Sequence, residues 1–205
     1  MKHRGLIVDF GGVVTTRFRT ALSGFCEREG LAPDRLHHVL REDPKGKAAL
    51  FEAESGAISQ REFERRLGRL LGVTDADLTR RICADLRPCE PMLALIARSR
   101  ESGIRTALLS NSWGTGGYDI YSGYDLRGLF DVVVVSDQVG CAKPDVEIYR
   151  WTLSKLGLPA TECVFADDVV RNLEPAAELG ITTVLVDDPE DAVQQIADLL
   201  ALSAG

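Results

Sequence analysis

LIVDFGGVV, residues 6–14, is an apolar run that delivers one carboxylate, Asp9, into a pair of glycines. Leu6 to Val8 have the continuous apolar character of a short strand buried on both faces. Gly11 and Gly12 let the backbone turn sharply and leave space where a side chain would obstruct a ligand. Asp9 therefore stands at the carboxyl end of a strand, the edge at which open α/β sheets bind their ligands. Taken alone, the same residue could simply form the turn.

Working outward, three more apolar runs end in residues that carry chemistry. GIRTALLSNS (103–112) closes on Ser110 and Asn111, VVVVSDQVGCAKP (132–144) leads to Lys143, and ECVFADD (162–168) ends in Asp167 and Asp168. From Pro91 onward strand and helix patterns alternate, which predicts a parallel α/β sheet with right-handed crossovers. Between the first and second strands the pattern is helical throughout, with helices expected over 20–30, 33–42, 47–54, 59–71 and 74–86. Ser59 followed by Glu62 reads as a capping box, and Phe63, Leu67, Leu70 and Leu71 form an apolar stripe suited to packing against neighbouring helices. The expected division is a core of residues 1–14 and 89–205, with residues 15–88 inserted as a helical layer.

Four motifs in this order, each at a strand end, resemble the haloacid dehalogenase-like (HAD) hydrolase superfamily over essentially the whole chain. The resemblance implies a Rossmann-like parallel sheet with helices on both faces and an all-helical cap of the C1 type, which closes on substrate and excludes water. It implies Asp9 as the nucleophile, Ser110 with Asn111 as phosphate binders, Lys143 as the charge neutraliser, and Asp9 with Asp168 as ligands of Mg²⁺. Asp167 would join the metal directly or from outside its ligand set, or cap the helix that follows, with Asn172 in support. Adjacent carboxylates beside a third repel one another unless a cation offsets them, which independently points to a metal.

The chain departs from the superfamily pattern at Gly11, where phosphatases of this kind usually carry a second Asp as general acid and base. The metal contact usual at that position is a backbone carbonyl, which Gly11 retains. General acid–base catalysis contributes about 10²- to 10⁴-fold, and Thr15 and Thr16 nearby are poor acids. The expected activity is hydrolysis, through an aspartyl-phosphate, of a small phosphorylated metabolite with a good leaving group, such as an anomeric sugar phosphate or an acyl phosphate. The alternatives are a weak or inactive phosphate- or metabolite-binding module and, third, a 2-haloacid dehalogenase, which would have no use for a cation at Asp167 and Asp168.

The 205 residues carry 24 Lys+Arg against 31 Asp+Glu, a net charge of −7 without a basic run, so nucleic acid is not an expected partner. No segment reaches the roughly 20 apolar residues of a membrane span, and a cytoplasmic protein is expected. The five cysteines lack metal spacing and read as reduced thiols, Cys163 in the core and Cys141 close enough to Lys143 to be partly activated. His3, His37 and His38 fall outside every motif, which does not favour histidine acid–base chemistry. Arg17, Arg19, Arg41 and Lys45 either reach an anionic substrate or lie on the surface. The segment 110–125 combines glycines with Trp113, Tyr118, Tyr121 and Tyr124, and of these Trp113 is the candidate substrate contact.

Overall fold

A computed structural model describes residues 3–202; the outermost ends of the expected core, residues 1–2 and 203–205, lie outside the described residues. The first strand, β1, spans Gly5–Val8. Five helices follow: α1 (Phe18–Arg28), α2 (Arg35–Arg41), α3 (Pro44–Glu54), α4 (Gln60–Leu71) and α5 (Leu78–Ile82). The chain continues through α6 (Glu90–Glu101), β2 (Arg105–Ser110), α7 (Leu126–Leu129), β3 (Val132–Val135), α8 (Ser136–Val139) and α9 (Val146–Leu156). It closes with β4 (Cys163–Asp167), α10 (Val170–Glu178), β5 (Thr182–Leu185) and α11 (Pro189–Leu200).

The strands form one parallel sheet in the order β3-β2-β1-β4-β5, which puts β1 at the centre with Val8 opposite Leu108 on one side and Ala166 on the other. Alternation along the strands supplies two cores, one on each face of the sheet. Leu6, Val8, Leu108 and Val164 pack against Met92 and Ile96 of α6 and Ile196 of α11, while Ile7, Leu109 and Phe165 pack against Ile148 and Tyr149 of α9 and Leu173 of α10. A third cluster, including Phe25, Leu36, Phe63, Leu67 and Ile82, holds the helical layer together. The stripe expected on α4 thus serves packing, with Leu70 at its edge only partly buried.

The chain enters and leaves the helical layer through paired segments, bridged at Thr15 and Pro88 and bonded from Thr16 N to the Arg87 carbonyl at 2.8 Å. The hydroxyls of Thr15 and Thr16 are spent here, the first accepting from Gly12 N and the second from Arg87 N. Within the layer, three details differ from the pattern reading. The third helix starts at Pro44 rather than 47, because the Asp43 carboxylate caps Lys45 N and Gly46 N. The fifth starts only at Leu78, since Asp77 is left-handed (φ 49°) and the Thr74 and Ala76 carbonyls accept from the Arg81 guanidinium instead. At α4 only half of the capping box forms: Ser59 Oγ accepts from Glu62 N, but the Glu62 carboxylate turns to Arg65 and Arg66.

Candidate active site

The four strand ends meet. Asp9 follows β1, Ser110 and Asp167 close β2 and β4, and Lys143 lies on the loop between α8 and α9. Lys143 Nζ stands 2.7 Å from Asp9 Oδ1 and 2.7 Å from Asp167 Oδ2, with the lysine side chain only 1% exposed. Burial opposes the charge on Lys143, but the two carboxylates outweigh it and hold its pKa above the ordinary lysine value. Asp167 is fully buried and its oxygens are committed: besides Lys143 they accept from Val169 N at 2.8 Å and from Asn172 Nδ2 at 3.1 Å. With four acceptor contacts made, it has little capacity left for a further ligand.

Asp9, Asp167 and Asp168 each place a carboxylate oxygen within 4.8 Å of the others. Burial pushes Asp9 up to about 7, Lys143 pulling against it and Asp167 and Asp168 adding to the rise. Burial and the neighbouring Asp167 likewise bring Asp168 up to about 6. The donor set suits a hard divalent cation, which would relieve this repulsion. The two glycines differ sharply. Gly12 has φ +82°, and a Cβ there would collide with the Asp168 carboxylate. Gly11 has φ −74°, and a Cβ there would meet only the Phe18 side chain at an ordinary 3.6 Å. Gly12 is therefore required by the site, whereas Gly11 is a position where a side chain fits.

Ser110 Oγ accepts from Tyr121 Oη at 2.8 Å, and the Tyr121 ring packs edge-on against Phe10, centroids 4.6 Å apart. Asn111 ties the β2 end to the lysine loop: its Nδ2 donates to the Lys143 carbonyl at 3.0 Å and its Oδ1 accepts from Lys143 N at 2.9 Å. The same Nδ2 also donates to Glu54 Oε2 at 3.2 Å, reaching a carboxylate carried by α3. Tyr121 appeared in the sequence only as one aromatic among several, and nothing in the pattern signals Glu54, which lies 57 residues from Asn111 along the chain.

Asp9, Ser110, Lys143 and Asp168 line a cavity of about 250 Å³ between the sheet edge and the helical layer. Its opposite wall is apolar at Phe18, Leu22, Leu40 and Leu50 and also holds Glu54, His37, Arg19 and Arg41, while Arg171 lines the cavity from α10, beside Asp168. Trp113 lines the cavity while packing against Phe18 and Phe63, at centroid distances of 5.4 and 5.1 Å. Burial and the nearby Arg171 lower the Arg41 pKa. Of the other candidate cations, Arg17 pairs with Asp187 away from the cavity and Lys45 contributes only its backbone N–H to the Asp43 cap. Asn172 binds Asp167 rather than Asp168, so it orients the carboxylate that holds the lysine. Cys141 is not activated, since burial, Asp145 and Glu147 push its thiol up, and Cys163 is buried in the core with its thiol pushed up to about 12.

A family model for haloacid dehalogenase-like hydrolases matches residues 3–180. The mouse protein acyl-CoA dehydrogenase family member 10 is 40% identical over 109 residues, 53% of this chain and 10% of its own length. Glyceraldehyde 3-phosphate phosphatase of Methanocaldococcus jannaschii is 26% identical over 102 residues, 49% of this chain and 45% of the phosphatase. The chain therefore spans less than half of either protein. A HAD family enzyme of Bacteroides thetaiotaomicron, solved in complex with magnesium and inorganic phosphate, superposes with a TM-score of 0.68 at 22% identity, covering 89% of this chain and 93% of that one. Among the described residues no helix is long and apolar enough to cross a membrane.

Proposed function

The chain belongs to the haloacid dehalogenase-like hydrolases, and on that premise we propose that it is a Mg²⁺-dependent phosphatase acting through Asp9 on a small phosphorylated metabolite. The observation that carries this reading is the Lys143 ammonium locked between Asp9 and Asp167 in the cavity between the sheet edge and the helical layer. A carboxylate attacks phosphorus only where the phosphoryl charge is masked and the group is held in line. Asp9, the Gly11 carbonyl and Asp168 would hold the cation, with Asp167 behind them as the anchor of Lys143. Asn172 Oδ1, buried in the cavity wall without a hydrogen-bond partner among the described residues, is placed to accept from a water of the hydrated ion. Bound Mg²⁺ supplies positive charge to the phosphoryl oxygens. Ser110 and the amides after it orient those oxygens, and Lys143 pulls the Asp9 pKa down against its burial and offsets the charge that develops on the transferring group.

The helical layer, residues 15–88, acts as the cap over the sheet edge 1–14 and 89–205, and its apolar wall with Trp113 receives the organic part of the substrate. Because Gly11 places no acid beside the nucleophile, substrates with good leaving groups, such as anomeric sugar phosphates or acyl phosphates, turn over fastest. The test is phosphate release from anomeric, acyl, aryl and alkyl phosphates with Mg²⁺ or EDTA, comparing the native chain with Asp9→Asn. Release that requires Mg²⁺, drops by about 10⁴-fold or more in Asp9→Asn and declines from acyl to alkyl phosphates is expected. Release that persists in Asp9→Asn or in EDTA would remove the mechanism.

A further inference from the structure

The helical side of the cavity carries an acid that the strand-end motifs do not include. In an in-line displacement the leaving oxygen lies opposite the attacking one, so a phosphoryl group attacked by Asp9 from the sheet edge points its leaving oxygen toward the helical layer. Three carboxylates line this cavity: Asp9 and Asp168, which belong to the sheet edge, and Glu54 at the end of α3. Glu54 is held against the core by Asn111 Nδ2 at 3.2 Å, and the same amide grips the backbone of Lys143. It therefore enters the site as part of the framework that positions the lysine, although it comes from the layer above.

We infer that Glu54 is the general acid and base of this site, taking from the helical layer the role that Gly11 leaves vacant beside Asp9. The inference rests on the phosphatase reading. In the first half-reaction Asp9 Oδ forms a bond to phosphorus while the bond from phosphorus to the ester oxygen breaks. The Glu54 proton passes to that oxygen, releasing a neutral alcohol and leaving a Glu54 carboxylate. In the second half-reaction that carboxylate takes a proton from the water that attacks the aspartyl-phosphate, which frees phosphate and restores both Asp9 and the protonated Glu54.

Burial raises the Glu54 pKa above the ordinary glutamate value, while Arg41 on α2, Arg171 on α10, Lys143 and the Asn111 hydrogen bond pull against the rise. These cations keep Glu54 a weaker proton reservoir than an acid sheltered from them, consistent with a preference for good leaving groups that is graded rather than absolute. His37 on α2 also lines the cavity, but among the described residues no hydrogen bond ties it to the sheet edge.

The experiment measures kcat/KM against leaving-group pKa for phosphate monoesters from p-nitrophenyl to simple alkyl, with Mg²⁺. It uses the native chain, Glu54→Gln, His37→Gln, Gly11→Asp and the double variant Gly11→Asp/Glu54→Gln. Gln at 54 can still accept from Asn111, and Gly11 has space for a side chain. Glu54→Gln should lower alkyl turnover by about 10²-fold and aryl turnover far less, steepening the leaving-group dependence. It should also abolish the alkaline limb of the alkyl pH profile, and Gly11→Asp in the double variant should recover the alkyl rate. A uniform loss across the series, an unchanged alkaline limb, or the steepened slope appearing in His37→Gln instead would overturn the role of Glu54 while leaving the phosphatase intact. No release by the native chain from any of the anomeric, acyl, aryl and alkyl phosphates would remove the phosphatase reading, and the role of Glu54 with it.

Discussion

The two walls of the cavity are built on different principles. The sheet edge is a closed charge lattice, in which Lys143, Asp9, Asp167 and Asn172 contact one another at 2.7 to 3.1 Å and are held by strand ends buried on both faces. The helical wall is mainly apolar, and its Arg41 has no carboxylate within 4 Å among the described residues. A lattice of buried charges tolerates the loss of no member, whereas an apolar wall with exposed cations accommodates exchange. Substitution is therefore expected to cost most at the sheet edge and least along the helical wall.

The sharpest way to break this contrast is to remove one charge from each wall. Lys143→Met leaves two buried carboxylates facing each other and should cost about 3–5 kcal/mol in denaturant unfolding. Arg41→Met should stay within about 0.5 kcal/mol of the native chain. Comparable losses in the two variants would show that the walls do not differ in kind.

The pH dependence of stability probes the same lattice. Asp9 and Asp168 have folded pKa values of about 7 and about 6, above the roughly 3.9 of an unfolded aspartate. A raised folded pKa stabilises below the unfolded value and loses that contribution as pH rises through the folded one. In EDTA, Tm should therefore fall between pH 5 and pH 8, and Mg²⁺ should raise it more at pH 8 than at pH 5. A Tm in EDTA that is flat across this window would mean that the carboxylates are not pressed together as described.

Smaller effects separate the two glycines. Gly12→Ala forces a side chain into left-handed backbone and against Asp168, costing about 1–2 kcal/mol and weakening Mg²⁺ binding by calorimetry. Gly11→Ala should do neither. Smallest is Ser59→Ala in the helical wall, which removes the α4 cap for about 1 kcal/mol and should leave phosphate release nearly unchanged. A collapse of activity there would show that the helical wall is as tightly tied to the chemistry as the sheet edge.

The same contrast explains what was legible in the sequence. The ends of β1, β2 and β4 could be read because each strand is a run of buried residues that stops abruptly at a polar one, a signal confined to a few neighbouring positions. The fifth strand, Thr182–Leu185, escaped because it lies at the sheet edge and is partly exposed, so its pattern is mixed. Glu54 reaches the cavity through packing between distant segments, which no local pattern encodes, whereas Arg171 stands three residues after Asp168 and is passed over in a motif read for its carboxylates. Tyr121 was visible as an aromatic, but its hydrogen bond to Ser110 depends on how the intervening loop folds back over Phe10. The sequence marks Gly11 only as a departure from the superfamily pattern, and it takes the backbone angles and the position of the Asp168 carboxylate to show that Gly12 is the glycine the site needs.

The bridge between Thr15 and Pro88 bears on how such a molecule can be altered. Because the helical layer departs and returns through neighbouring backbone, its ends already meet, and a different set of helices could be spliced between them with little cost in loop closure. The sheet edge would keep its register through such a graft, as a handle keeps its grip when the blade is changed. If Glu54 is part of the chemistry, however, a replacement blade must bring its own acid.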